Sequence, residues 1–415
     1  LKEYEFYLQD LMPKIVIVEK DSHNPAVEAA KNLGIEICEI KKIDNAPAGI
    51  FNLYDETSNF ELATENNEAL VLHTSGTTSR PKVVPLTNKN IFSSAINISN
   101  SLQLSSQDHC YNIMPLFHIH GLIAVLSSSI NAGASVYASS GFNALKFLET
   151  ANKETITWYS GVPTMHQAIL MRAKKNPKLA EELNLRFIRS SSASLPPAVF
   201  DELKKIFKTT VIEAYGMTEA THQMTSNPLP PEKQKAGFVG KPAGPEVCIM
   251  DSQGNKLNTG EDGEVCIRGD NVTNGYENNE EANKTAFING WFRTGDQGHF
   301  DNEGYLKISG RLKEIINRGG EKVSPLEVDN ILMEHEAVEQ VVTFAVKDNL
   351  LGEAIGVAIV LKSGVDCNEI DIKNYASKHL ADFKIPKYIR FLEEIPKGAT
   401  GKLQRIGLAE KLGLE

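Results

Sequence analysis

The chain has 415 residues, 41% of them hydrophobic and 23% charged, with a formal net charge of −10. That length allows two or three domains with separate cores, and the composition is that of an ordinary globular protein. The acidic balance argues against nucleic acid or an anionic membrane as the main partner, no apolar run is long enough to span a bilayer, and the five cysteines have no CxxC spacing that would signal a zinc site or a disulfide framework.

The opening residues, Leu1-Lys2-Glu3, carry no initiator methionine and lead at once into a helix-like segment. The amino terminus therefore reads as truncated, starting inside a domain. Residues 13–40 predict strand, helix and strand: KIVIVEK, then NPAVEAAKNLG with Gly34 as a stop, then IEICEI. That alternation suits a doubly wound α/β layer. Residues 41–68 are polar and Asn-rich and predict a surface loop.

Leu70 to Leu72 predict a buried strand that gives way to Thr74-Ser75-Gly76-Thr77-Thr78-Ser79 and then Arg80-Pro81-Lys82. Hydroxyls and backbone N–H groups on such a turn can wrap phosphate oxygens, and Lys82 can neutralise their charge. It is not the GxxxxGK[ST] loop, because no helix opens at its lysine. A plain turn of Ser and Thr is the alternative.

From Thr87 a helix is expected, followed by strands at YNIMPLFHIHG and ASVYAS. On a strand His118 and His120 would point to opposite faces, so only one would line a pocket easily. The pattern repeats through TITWYSGVP, a helix at Thr164–Lys175, LRFIRSSSA and TTVIEAYGMTE. From Val247 short strands with turns (VCIMD, EVCIRG) predict a smaller β subdomain. The last hundred or so residues, from near Gly310, read as a separate domain. In it Ser324-Pro325-Leu326-Glu327 predicts a capping box, VVTFAV and IGVAIVL predict strands, and EIDIKNYASKHL a helix. No internal repeat or low-complexity tract is present.

Four further motifs stand in order behind the hydroxyl-rich loop: Ala214-Tyr215-Gly216-Met217-Thr218-Glu219, Trp291-Phe292-Arg293-Thr294-Gly295-Asp296, Gly310-Arg311-Leu312-Lys313-Glu314, and Pro396-Lys397-Gly398-Ala399-Thr400-Gly401-Lys402. Together they resemble the adenylate-forming superfamily of acyl-CoA synthetases, peptide-synthetase adenylation domains and luciferases, from about residue 70 to the end. Ser79 and the segment from Thr221 to Pro228 look most like its oxalyl-CoA synthetase branch. The resemblance implies an α/β fold. A large adenylation domain of doubly wound layers with a small β subdomain would span 1–310, incomplete at its start, and a small mobile α+β domain would span 311–415. It also implies an ATP-dependent acid–CoA ligase that proceeds through an acyl adenylate, with oxalate as the acid. Alternatives are a medium-chain or coumarate-like acid, or a module that loads a carrier protein.

The resemblance carries roles onto individual residues. Thr74, Ser75, Gly76, Thr77, Thr78 and Lys82 would cover the departing phosphates of ATP. Ser192, Ala193, Glu213 and Ala214 would surround the adenine, with Tyr215 against its face. Asp296 would take the ribose, Arg311 the ribose or a phosphate, Thr218 the α-phosphate, and Glu219 the Mg²⁺ ion, since a hard cation prefers carboxylate oxygen. Lys402 would bridge the acid and the α-phosphate, and His118 would stand at the entrance to the acid site. His222, with the hydroxyl of Ser191 or Ser192, would hold the acid, because a small dicarboxylate brings a second charge that is costly to bury alone. Lys313 would be the hinge, and Gly319 and Gly320 would meet the CoA arm after rotation of the small domain. Serines at 191 and 192 and Glu213 depart from residues common in the superfamily, so contacts there are less fixed by the resemblance. Substrates and cofactors expected are ATP, Mg²⁺, coenzyme A and a small carboxylic acid, with no nucleic acid and no transmembrane segment. A monomer or weak dimer in the cytoplasm, or in the peroxisome, is expected, although the chain ends Gly413-Leu414-Glu415 without an SKL-type address.

Overall fold

The computed structural model describes residues 1–43, 45–46, 50–52, 62–74, 81–396 and 403–414. By internal contacts the chain divides into two compact units, Leu1–Thr64 and Glu65–Glu415. In the first unit, the strands Ile15–Glu19 and Glu36–Lys42 pair in parallel around the helix Pro25–Asn32. Asn24 caps that helix through its side chain, and Pro25 supplies the preset φ of a first helical residue. This is the strand–helix–strand order expected from residues 13–40.

The second unit is built around a seven-stranded sheet. Its strands Ser135–Ala138, His109–Asn112, Trp158–Gly161, Phe187–Ser190 and Thr210–Met217 are parallel, and His222–Ser226 and Lys241–Pro242 are added antiparallel at one edge. Side chains alternate along a strand, and here both faces are covered. Cys110, Trp158, Phe187 and Ile212 pack on one side with Ile98, Leu102 and Ile123. Tyr111, Tyr159, Ile188 and Val211 pack on the other, against Ile169, Leu170, Phe200 and Leu203 of the helices Pro163–Lys175 and Pro197–Phe207. A doubly wound layer follows from this two-sided burial. The antiparallel strands Glu246–Met250, Gly263–Arg268, Trp291–Phe300 and Leu306–Arg311 then make the small β subdomain.

The remainder is a small α+β domain. Its strands Glu321–Val323, Ile316–Arg318, Gly352–Leu361 and Val338–Asp348 form a sheet, and Tyr388–Phe391 joins it in parallel. The helices Pro325–Met333 and Glu369–His379 bury Val328, Leu332, Ile372 and Ala376 against it.

Three local expectations differ from the structure. The segment expected to run as a strand to Gly121 is a strand only over His109–Asn112; Pro115 has no N–H to continue a ladder, and a π-helical turn, His120–Ser127, follows. Leu70 to Leu72 are half-buried rather than buried, because among the described residues Glu68–His73 pairs only with Val83–Thr87 in a two-stranded ribbon. The capping box at Ser324 is half formed. Its Oγ accepts the Glu327 N–H at 3.2 Å, but the Glu327 carboxylate instead takes the Lys384 ammonium at 2.5 and 2.7 Å.

Candidate functional site

In an open parallel sheet, ligands sit beyond the carboxyl ends of the strands. Here a cavity of about 410 Å³ opens at those ends, lined among others by Thr74, Lys82, His118, Ser192, Thr218, Glu219, His222, Arg311 and Lys313. A smaller cavity of about 170 Å³, lined by Ala193, Glu213, Ala214, Tyr215 and Asp296 among others, shares Ser192, Gly216 and Arg311 with it. Residues nearly 240 positions apart in the chain therefore surround one site.

The ends of the hydroxyl-rich loop are pinned to each other. Thr74 N–H donates to the Lys82 carbonyl at 2.9 Å, and Lys82 N–H donates to Thr74 Oγ1 at 3.1 Å. Ser75, Gly76, Thr77 and Thr78 lie outside the described residues, as does Lys402. The Lys82 ammonium stands 4.1 Å from the Tyr276 ring centroid. Burial pulls its pKa below the usual lysine value, a pull that nearby Glu219 opposes and Lys313 reinforces.

The strand Thr210–Met217 delivers the next group. The Tyr215 hydroxyl donates to Asp296, whose other oxygen lies 3.2 Å from Arg311 Nε. Asp296 and Arg311 face each other across the antiparallel pair of Trp291–Phe300 and Leu306–Arg311, which explains how distant motifs meet. Burial, with the Asp296 charge beside it, pushes the Tyr215 phenol well above its ordinary value, so it stays a hydrogen-bond donor. Arg311 is raised in turn, chiefly by the Asp296 charge. Glu213 is buried, and its Oε1 accepts the Leu195 N–H at 2.9 Å.

Thr218 and Glu219 sit on the 3₁₀ turn Thr218–Ala220. Glu219 is held twice: its carbonyl accepts the Thr273 N–H at 2.8 Å, and Oε1 accepts the Tyr276 hydroxyl at 2.8 Å. The chain then turns back through Thr221 and His222 at φ of 49° and 96°, a conformation that costs energy for residues with side chains. Gly216 permits it, because a Cβ there would lie 1.9 Å from the His222 carbonyl oxygen. The outcome is a His222 side chain, 2% exposed, that lines the larger cavity.

Behind this wall lies a polar network. His120 is fully buried, with Nδ1 3.0 Å from Ser192 Oγ and Nε2 2.6 Å from Ser160 Oγ, and its ring lies 5.1 Å from that of His222. His118, not His120, lines the cavity. The Ser191 hydroxyl does not reach the cavity: it donates to the Ala214 carbonyl at 2.8 Å, and Ser192, at φ 72°, faces the space instead. Of the two serines expected near the acid, Ser192 is therefore the one that lines the cavity, turned there by its positive φ. Gly319 and Gly320 form the turn between Ile316–Arg318 and Glu321–Val323 and do not line either cavity, whereas Lys313 does.

Sequence reasoning passed over Tyr276 and Arg189. Tyr276 sits in a loop, Asn271 to Tyr276, with no motif of its own; an aromatic hydroxyl near a buried carboxylate shows only in three dimensions. Arg189 carried a usable signal, as a charged residue inside the apolar strand sequence of Phe187–Ser190.

Glu219 fits a role toward a magnesium ion. Among the described residues no group of three or more carboxylate, His or Cys side chains could enclose a metal. Mg²⁺, however, is usually held by one or two carboxylates with substrate phosphates and water completing its shell. A single buried carboxylate, fixed by Tyr276 and facing a cavity with Lys82 and Arg311, suits that mode.

The sequence profile of the family described as AMP-binding enzyme matches residues 1–277, and that of the AMP-binding enzyme C-terminal domain matches residues 327–402. The oxalate–CoA ligase of Arabidopsis thaliana is 48% identical over 412 residues, covering 97% of this chain and 80% of that protein. The oxalate–CoA ligase of Saccharomyces cerevisiae is 43% identical over 437 residues, covering 99% and 80%. Among solved structures, ATP-bound MatB from Rhodopseudomonas palustris superposes with a TM-score of 0.88 at 27% identity, covering 99% of this chain and 81% of that one. The o-succinylbenzoate CoA synthetase of Bacillus subtilis, in complex with ATP and magnesium ion, superposes at 0.81 with 29% identity, covering 97% and 81%. The chain belongs to the AMP-binding enzyme family, as an AMP-forming acid–CoA ligase.

Proposed function

We propose that the acid is oxalate: oxalate, ATP and CoA give oxalyl-CoA, AMP and pyrophosphate through an oxalyl adenylate. The observation that carries this is His222. It follows the Thr218–Ala220 turn after one residue and lines the same cavity as Ser192 and His118. An acid placed there has its reacting carboxylate near the nucleotide side and its far end against imidazole and hydroxyl donors. A second carboxylate would find partners there, and a long alkyl chain would desolvate them without replacement. The two oxalate–CoA ligases among the relatives support the same choice.

The chemistry follows from charge. One carboxylate oxygen attacks the α-phosphorus and pyrophosphate leaves; the CoA thiol then displaces AMP from the acyl carbon. The first step brings an anion to a polyanion, so fixed cations matter most. In this reading Lys82 and Arg311 meet the phosphates, Asp296 the ribose, Tyr215 the face of the adenine, and Ala193, Glu213 and Ala214 surround the base; that all of them line the two cavities supports it. Magnesium held by Glu219 would neutralise phosphate charge when bound. Lys402 is assigned the bridge between acid and α-phosphate. A domain boundary between 310 and 311, a hinge at Lys313, and later use of Gly319 and Gly320 by the CoA arm complete the reading. The gap between the two family matches, 277 to 327, brackets that hinge. All five cysteines are free of disulfides, which agrees with the cytoplasm or peroxisome.

A pyrophosphate-release screen over oxalate, malonate, acetate, coumarate and octanoate, each with and without CoA, tests the proposal. Oxalate should lead, with free CoA consumed. A lead for coumarate or octanoate, or pyrophosphate without consumption of free CoA, would exclude it in favour of another acid or a carrier-bound acceptor.

A further inference from the structure

Arg189 lies in the strand Phe187–Ser190, between two other parallel strands, and is fully buried. Its Nη1 donates to Ser160 Oγ at 3.2 Å and lies 3.5 Å from His120 Nε2. Its Nη2 donates to Gln223 Oε1 at 3.1 Å and lies 3.5 Å from His222 Nδ1. Each of these partners is a hydroxyl oxygen, an amide oxygen or a ring nitrogen, and none is a carboxylate. Among the described residues no carboxylate pairs with it, and its Nε has no hydrogen-bond partner. A buried charge is ordinarily paired, so this arrangement calls for an explanation. Burial pulls the guanidinium down to about 9, which still leaves it charged at neutral pH.

Arginine can only donate hydrogen bonds. The ring nitrogens that face it, His120 Nε2 and His222 Nδ1, must therefore be acceptors. In neutral rings the protons then sit on His120 Nδ1 and His222 Nε2. His120 Nδ1–H donates to Ser192 Oγ, so the Ser192 hydroxyl proton is available to a partner other than His120. Ser192 and His222 line the cavity and Arg189 does not.

We infer that Arg189 is a positioning residue that sets the acid specificity of the cavity, fixing the proton positions of His120 and His222 and placing one unbalanced positive charge behind them, so that the accepted acid is one carrying a second negative charge. This rests on the reading of the cavity as the acid site. An acid with a single carboxylate, spent on the phosphorus, leaves the buried charge unbalanced. A dicarboxylate supplies the missing counter-charge through His222 and Ser192.

The test compares kcat/KM for oxalate with that for acetate in the wild type, Arg189→Met, Arg189→Lys and Gln223→Glu, with a thermal melt of each. Gln223→Glu leaves the arginine and adds a carboxylate beside it. A charge-assisted contact is worth roughly 10- to 100-fold. The oxalate-to-acetate ratio should fall by that much in Arg189→Met and in Gln223→Glu, and less in Arg189→Lys, which keeps the charge. If Arg189→Met fails to fold, Gln223→Glu and Arg189→Lys decide. An unchanged ratio, with both acids slowed alike, would show a merely structural arginine and overturn the inference. Wild-type preference for malonate over oxalate would overturn the oxalate assignment alone; preference for a monocarboxylate would overturn both.

Discussion

Glu213 offers a sharp test of the electrostatics around the smaller cavity. Its side chain is 1% exposed, Oε1 accepts only the Leu195 N–H, and Oε2 has no hydrogen-bond partner among the described residues. Burial therefore pushes its pKa from 4.5 to about 8. Between those values the folded chain holds a proton that the unfolded chain has released. Folding is then least penalised below pH 4.5, and stability falls as pH rises toward 8. At 1.36 kcal/mol per unit the penalty is roughly 3 kcal/mol at pH 7 and roughly 4 at pH 8. Glu213→Gln keeps the acceptor for Leu195 and cannot ionise. It should match the wild type near pH 5 and exceed its stability by about 3 kcal/mol at pH 7. Urea unfolding followed through Trp158 and Trp291, at pH 5, 7 and 8, reads this directly. A stability gap that does not grow with pH, or a wild type more stable at pH 7, would refute the buried neutral carboxyl.

Three further outcomes are expected. Lys402→Ala should abolish adenylate formation from acid and ATP yet leave thioester formation from supplied oxalyl adenylate; equal loss of both half-reactions would remove Lys402 from its bridging role. Tyr276→Phe deletes the hydroxyl that holds Glu219 Oε1, so the Mg²⁺ concentration for half-maximal rate should rise roughly tenfold, and an unchanged magnesium titration would rule against it. Asp296→Asn leaves Arg311 without its carboxylate and weakens the Tyr215 contact; KM for ATP should rise roughly 10- to 100-fold with KM for the acid little changed, as initial-rate kinetics at fixed acid will show.

The layered α/β architecture was legible in the sequence because it depends on local periodicity. The strands around Trp158 and Phe187 are buried on both faces and open with apolar pairs, Trp158-Tyr159 and Phe187-Ile188, and the intervening helix begins at a proline. The positions of Asp296 and Arg311 were legible as motifs, but their pairing across antiparallel strands needed the register. What was not legible depends on single-residue geometry. Whether Ser191 or Ser192 faces the cavity turns on one positive φ at 192. Likewise, the expected strand through His118 and His120 yields to a proline and a π-helical turn, which sends His120 into the polar network and His118 to the cavity. Arg189 and Tyr276 carry no motif, and their importance lies in partners 29 to 69 residues away.

The central claim is that oxalate is activated by direct attack on the α-phosphorus. Supplying ¹⁸O-labelled oxalate with ATP, Mg²⁺ and CoA, and weighing the products by mass spectrometry, tests it most directly. One labelled oxygen should appear in AMP, none in pyrophosphate, with oxalyl-CoA formed in equal amount. Label in inorganic phosphate with ADP as product, or no oxalyl-CoA at all, would contradict the account.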